Sequence, residues 1–261
     1  MEFSRKIEGN LSFSYKFTFC TLVTKYDEYK EMVLSAKKVG FDGEDVEFLY
    51  FDNFNSNGFD GFNGINRAIK EARGEYLIFC HQDILFNYDD RKNLENCIQE
   101  LEEIDSRWAV AGNAGVREDG RAIMRITDPN NINVQRGGFP GEVVSLDENF
   151  LVINRKQSIS CSTYLSGFHL YGTDICQNAI DMGLKSYVIN FHLLHKSPGN
   201  IDDSFYKSRE KFINFYNKRK KPKLIWTMCT VFYISNNKLI NFLYKFNFVI
   251  KLNKKIKKCL K

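Results

Sequence analysis

The sequence predicts an α/β fold: a mostly parallel, mixed sheet flanked by helices, with a basic helical appendage at the C-terminus. Three observations carry this reading. Short apolar or aromatic runs alternate with helix-period segments as far as Val116, the rhythm of a doubly wound sheet. Polar residues follow three successive strand-like runs, at the edge where open α/β sheets bind ligands. The charge is also divided. Residues 207–261 hold 16 of the 37 Lys and Arg but only one of the 32 acids, Glu210, so a tail of formal charge +15 follows a body of −10. The expected organisation is a body over 1–206 and a tail over 207–261.

Phe17–Val23, "FTFCTLV", is short, aromatic and apolar, and reads as a buried strand. Thr24–Val39 places Met32, Val33, Ala36 and Val39 on one helical face. "FDGED" is a turn, Val46–Phe51 a second strand, and "DNFNSNGFDG" a polar loop. Gly61–Ala72 reads as a helix, Tyr76–Cys80 as a third strand, Asp89–Asp105 as a long amphipathic helix, and Trp108–Val116 as a further strand. After Arg117 the rhythm breaks. "DPNNINVQRGGFPGEV" is loop-rich, and the strand-like "VVSLDENFLVINR" and "KSYVINFHLLH" flank a helix over Asp174–Met182.

With 43% hydrophobic residues, 261 residues suffice for one large α/β domain plus an appendage. The seven cysteines contain no C-x-x-C pair, which favours reduced thiols over a disulfide framework or a zinc site. No stretch reaches the roughly 18 apolar residues that span a bilayer, and the N-terminus lacks the apolar core of a signal peptide. These features point to a cytoplasmic protein.

"YLIFCHQDILF", Tyr76–Phe86, ends a buried strand on His81, Gln82 and Asp83. Thr24 and Asp52 stand at the same end of the two preceding strands. No G-x-G-x-x-G follows the first strand and no G-x-x-x-x-G-K-[ST] exists, which disfavours dinucleotide and P-loop readings. A strand-end carboxylate holds a hard divalent cation, which in turn holds a diphosphate; it can equally cap the next turn.

In its motifs the chain resembles the family-2-like glycosyltransferases of the GT-A fold, within the bacterial group that includes a streptomycin-biosynthesis protein. The matching pieces are "FTFCTLVTKYDEY", "FLYFDNFNS", "GINRAIKEARGEYLIFCHQDILF", "WAVAGNAGV", "SLDENFLVINR" and "GFHLYGTDICQNAIDMGLKSYVINFHLLHKSPG", which together cover about residues 17–200. The resemblance implies transfer of a sugar from a nucleotide-sugar donor, UDP-sugar favoured, to a hydroxyl of a glycan or lipid-linked acceptor, with inversion and with Mn2+ or Mg2+ as cofactor. It implies Thr24, Asp52, Asn66, Gln82 and Asp83 at the donor, Asp83 and His195 at the metal, and Asp174 of "YGTD" as catalytic base. Asp147, Glu148 and Tyr171 would line the acceptor site. His81 replaces the first acid of the usual D-x-D motif, and Thr173 the acid before the base.

Each assignment has a plainer alternative. Asp52 could open an Asx turn, Asp174 could N-cap its helix, and Tyr171 could be core packing. A nucleotidyltransferase and a degenerate sugar- or partner-binding protein are the alternative functions. The tail interleaves "KRKKPK" and "KKIKKCLK" with "LIWTMCTVFYI" and "LINFLYKFNFVIKL". That pattern suits the anionic inner face of a membrane, or packing on the body or on a second subunit in an oligomer. Nucleic acid is disfavoured because the acidic body repels phosphate.

Overall fold

The computed structural model describes residues 11–199, 201–226, 231–246 and 248–252. Aromatic and β-branched residues form β1 (Tyr15–Val23), β2 (Val46–Asp52) and β3 (Gly74–Cys80), which alternate with α1 (Tyr26–Lys38) and α2 (Gly61–Glu71). α1 carries Asp27 and Glu28 in its first turn and Lys37 and Lys38 in its last, the polarity that the helix dipole favours. Asp60 caps α2 by accepting from the Asn63 amide. Next come β4 (Ile84–Leu85), α3 (Arg91–Ile104), capped reciprocally by Asp90 and Asn93, and β5 (Trp108–Gly112). The remaining strands of the body are β6 (Ala114–Val116), β7 (Ala122–Thr127), β8 (Asn133–Arg136), β9 (Gly141–Val143), β10 (Ser145–Leu146), β11 (Phe150–Asn154), β12 (Lys185–Val188) and β13 (Leu193–His195), with α4 (Tyr171–Asp181) between β11 and β12.

The main sheet has the order β2-β1-β3-β11-β5-β12-β9. β1, β2, β3, β5 and β12 run parallel, β11 is inserted antiparallel between β3 and β5, and β9 closes the edge antiparallel. The fold is therefore mixed α/β. A second sheet, β10-β6-β7-β13-β4 with β8 on β7, lies in the same body. Phe17, Phe19, Phe41, Phe86, Phe150 and Phe191 are fully buried, and their rings pack edge-on or stacked in the core.

Three runs that read as single strands are divided between the sheets. Trp108–Val116 breaks at the buried Asn113, whose carbonyl accepts from the Arg125 amide. β5 then stays in the main sheet and β6 joins the second. The runs holding β10 with β11 and β12 with β13 divide in the same way. Most residues on either side of each break are apolar; hydrophobicity reports burial and does not say which sheet receives a strand. The loop-rich stretch after Arg117 contains β8 and β9.

By their contacts the residues fall into two units, Met1–Arg209 and Glu210–Lys261, with the boundary inside α5 (Asp203–Arg219). The second unit is not helical throughout. β14 (Lys223–Trp226) and β15 (Val231–Ile234) pair antiparallel, and α6 (Lys238–Leu243) follows, capped by Asn237. Tyr233 stacks on Tyr244 with ring centroids 4.0 Å apart. The N-terminal "MEFSRKIEGN", the cluster "KKIKKCLK", Cys229 and Cys259, and the side chains of Trp226 and Phe232 lie outside the described residues. The five described cysteines are free thiols, all buried.

Candidate functional site

Strand registers assemble the site. The parallel strands deliver Thr24, Asp52 and His81-Gln82-Asp83 to one edge of the main sheet. β11 runs the other way, and its first residue, Phe150, pairs with Cys80. The residues preceding β11, Asp147 and Glu148, therefore reach the same edge. The His81 amide donates to the Asn149 carbonyl at 2.9 Å, which fixes this approach. In the second sheet His195 pairs with Ile84, and the Lys196 amide donates to the Asp83 carbonyl at 3.0 Å. His195 is thereby carried to Asp83 from 112 residues downstream.

His81, Asp83 and His195 form a three-residue cluster whose ligand atoms all lie within 4.8 Å of one another. Asp83 Oδ1 is 3.9 Å from His81 Nδ1 and 3.4 Å from His195 Nε2. His195 Nε2 is buried and makes no hydrogen bond of good geometry. His81 is held through its Nε2 nitrogen. The Tyr171 hydroxyl donates to the Glu148 carbonyl at 3.3 Å and lies 3.1 Å from His81 Nε2. With the hydroxyl proton on the Glu148 carbonyl, that nitrogen is the donor, and Nδ1 faces Asp83 at 3.9 Å. An imidazole held through one nitrogen with the other bare is how histidine ligates a metal. Burial works against the Asp83 carboxylate, yet His195 and His81 outweigh it and hold its pKa below the ordinary carboxylate range. Burial pulls the His81 imidazole down; Asp83 opposes this and His195 adds to it. A neutral imidazole beside an ionised carboxylate is a donor set suited to a divalent cation.

Beside the cluster lies a cavity of about 260 Å³, lined by Leu22, Thr24, Asn53, Phe79, Gln82, Asp83, Phe168 and Tyr171 among others. Gln82 braces its rim. Its Oε1 accepts from the Thr24 and Lys25 amides at 2.9 and 3.0 Å, and its Nε2 donates to Thr24 Oγ1 and Glu28 Oε2. Asn53 is buried and holds the following loop through both the carbonyl and the amide of Phe59.

A second cavity, about 230 Å³, is lined by Ala114, Val116, Ala122, Met124, Leu146, Asp147, Glu148, Leu170 and Thr173 among others. Burial, with the Asp147 charge added, pushes the Glu148 carboxyl up to about 8. The Gly172 amide at the start of α4 donates to Glu148 Oε1 at 3.2 Å. A Cβ on Gly172 would lie 2.5 Å from the Leu146 carbonyl oxygen, so only glycine permits this approach. A Cβ on Gly61 would strike the Tyr171 ring at 2.1 Å, so that glycine makes room for the residue linking His81 to Glu148. Leu170 adopts φ 70°, the left-handed region that non-glycine residues seldom occupy, to turn the chain into α4.

The sequence-expected residues separate into two groups. Thr24, Gln82, Asp83, His195, Asp147, Glu148 and Tyr171 converge on the cluster and its two cavities. Asp52, Asn66 and Asp174 do not. Asp52 is exposed and accepts from the Phe54 amide at 3.0 Å, an Asx turn. Both ends of the Asn66 amide are spent on the Cys161 backbone. Asp174 is 0% exposed. Its carboxylate accepts from the Ser162 amide at 2.6 Å, the Ser162 hydroxyl at 2.8 Å and Asn178 Nδ2 at 3.2 Å. A carboxylate so enclosed is held by its own fold, the plainer of the two roles expected for Asp174. Asn53 and Phe168 were not legible. Asn53 stands two residues past the expected strand end, and nothing marks Phe168 beyond its place before the "HLYGTD" stretch.

What these features define is an α/β protein with a divalent-cation-type ligand set at the strand ends and a raised-pKa carboxyl beside it. No protein-family model matches the chain. It is 35% identical over 211 residues, 77% of this chain and 84% of the other, to a Fuscovulum blasticum protein called ATP synthase subunits region ORF 6, and it belongs to that protein's family. Among solved structures it is similar to the mannosyltransferase PcManGT from Pyrobaculum calidifontis in complex with GDP-Man and Mn2+, with a TM-score of 0.49 and 12% identity over 84% of this chain and 69% of that one. It is also similar to residues 1–349 of S. aureus TarS, with a TM-score of 0.48 and 13% identity over 77% and 66%.

Proposed function

We propose that the chain is a metal-assisted, inverting glycosyltransferase that moves a sugar from a nucleotide-sugar donor to a hydroxyl of a glycan or lipid-linked acceptor. In its motifs it falls within the GT-A group that includes a streptomycin-biosynthesis protein. The observation that carries this reading is the His81-Asp83-His195 ligand set, with Nε2 of His195 buried and without a hydrogen bond, beside the cavity that Thr24 and Gln82 frame. Held there, Mn2+ or Mg2+ supplies Lewis-acid stabilisation of the charge on the departing diphosphate. Glu148 replaces Asp174 as the base. It takes the proton from the acceptor hydroxyl as that oxygen bonds to the anomeric carbon, and the bond from that carbon to the diphosphate breaks with its electron pair on the leaving group. A carboxyl with a pKa near the working pH is suited to this transfer. Asp147 and the apolar strands β6 and β7 would hold the acceptor.

A thermal-shift series with nucleoside diphosphates, with and without Mn2+, tests the donor site, because ligands that bind only the folded state raise Tm by mass action. The expected result is a shift that Mn2+ enlarges and that loses its metal-dependent part in Asp83→Ala. A metal effect that persists in that variant removes the cluster from the proposal. Binding without turnover would favour a sugar- or nucleotide-binding protein instead.

The second unit supports peripheral attachment to an anionic membrane at its cytoplasmic face. No helix among the described residues is long and apolar enough to cross a membrane. Leu239, Phe242, Leu243, Phe246, Phe248 and Leu252 are exposed, with the exposed Lys238, Lys245 and Lys251 among them. The full chain is expected to sediment with vesicles containing anionic lipid, to release as salt rises, and to ignore neutral vesicles. Equal binding to both kinds of vesicle would exclude the electrostatic part.

A further inference from the structure

A third cavity adjoins the candidate acceptor site. Ala122 lines both the second cavity and this one, of about 530 Å³, which Arg117, Arg121 and Arg136 surround. The strand register relates the two. Met124 pairs with Arg136 across β7 and β8, and Ala114 pairs with Met124 across β6 and β7. Directly opposed residues share a face, so Ala114, Met124 and Arg136 stand in one row on one side of the ribbon. Val116 and Ala122, also a pair, stand on that side too. The row is apolar where it borders Glu148 and ends on Arg136; Arg117 and Arg121 lie one residue outside the Val116–Ala122 pair and meet Arg136 around the third cavity.

The charges at that end are unevenly matched. Asp119 pairs with Arg121 at 2.6 Å and lies 3.7 Å from Arg117, while Glu118 and Glu142 line a neighbouring cavity with Arg117. Arg136 is exposed, and its guanidinium makes no hydrogen bond or ion pair among the described residues. A Cβ on Gly138 would meet nothing within 4 Å, and Gly120 is equally open, so the backbone beside the arginines leaves room for a ligand. Arginine presents a planar fork of donors that matches phosphate oxygens.

We propose that Arg136, with Arg117 and Arg121, binds a phosphate group of the acceptor. This rests on the glycosyl-transfer reading above and narrows it: the acceptor is a phosphorylated or phosphodiester-linked molecule, apolar or sugar-like where it crosses Ala114, Ala122 and Met124, with its phosphate on the arginines and its hydroxyl at Glu148. The phosphate belongs either to a soluble polyol–phosphate chain or to a lipid-linked head group.

The test measures equilibrium binding of two fluorescent probes to the full chain: a short polyol–phosphate oligomer, and a long-chain alkyl monophosphate in neutral micelles. Whichever probe binds identifies the source of the phosphate. Arg136→Ala, at an exposed strand end, is expected to weaken that probe about tenfold, as loss of a charge-assisted contact does, and Arg136→Glu is expected to abolish binding. Lys70→Ala removes one exposed positive charge from α2 and should leave binding unchanged. The Mn2+-dependent thermal shift with nucleoside diphosphate should be the same in all of these variants. If neither probe binds, or if Arg136→Glu binds as well as the parent, the phosphate subsite is overturned while the donor site stands. If a probe binds through Arg136 but no nucleoside diphosphate shifts Tm, the acceptor role is overturned.

Discussion

Two carboxylate centres flank α4 and its approach, and they differ in what their hydrogen bonds leave over. At Asp174, Ser162 and Asn178 donate to a carboxylate with no exposure. At the strand ends, Asp83 and Glu148 stand beside cavities, His195 Nε2 is buried without a good hydrogen bond, and the Glu148 pKa is displaced to about 8. Both centres hold acids that the motif pattern favours. Saturation separates them. A polar group with all its partners supplied stabilises the fold, whereas one left incomplete next to open space is arranged for something that arrives later.

The strongest test of that distinction is Glu148→Gln. The amide cannot take a proton, so transfer should fall by about 10²–10⁴-fold with the fold intact. In the parent the rate should rise with pH up to about 8, because only the ionised carboxylate acts as base. Stability should move the opposite way. The folded pKa lies above the ordinary 4.5, so the folded state binds more protons between these values and loses stability as pH rises through the window. Glu148→Gln removes that loss, and its Tm relative to the parent should climb from pH 4.5 to about 8. A flat difference across that range would place Glu148 with the saturated centre.

Asp174→Asn should do the reverse. It turns an NH2 group toward donors, and should cost about 3 kcal/mol, or roughly 6–12 °C in Tm for a chain of this size. Donor-site binding at a temperature where the variant is folded should be little changed. If turnover collapses while Tm holds, Asp174 is the base after all and the comparison fails.

Gln82→Ala should have the smallest effect. Its bonds to the Thr24 and Lys25 amides are exposed, so water can replace them and the loss in stability is about 1 kcal/mol. Nucleotide affinity should drop more noticeably than Tm if the brace serves the cavity rim. Calorimetric titration against the parent reads this directly.

Some of this architecture is legible without coordinates, and particular residues show where legibility stops. β1, α1, β2, α2, β3 and α3 fall within a few residues of their expected limits, because each is a local pattern of burial bounded by turn residues. "HQD" at the exit of β3 marks the ligand edge for the same reason. The division of Trp108–Val116 at Asn113 is not local, since it depends on a partner strand that begins at Ala122. Nor does a linear reading show that "YGTD" buries its acid while "LDEN" exposes one. That outcome follows from Gly172 letting α4 close on Leu146 and from Ser162 reaching Asp174 across the intervening loop.

From the sequence alone follow the alternation of strands and helices, the polar residues at three strand ends, and the charge split between body and tail, because periodicity, turn chemistry and charge are written residue by residue. Only the tertiary structure decides which polar groups meet. Antiparallel β11 brings Glu148 to His81, β13 on β4 brings His195 to Asp83, and β8 on β7 sets Arg136 opposite Met124. Each is a pairing between segments far apart in the chain, set by strand register and by the packing of a shared core, and no local pattern encodes the partner.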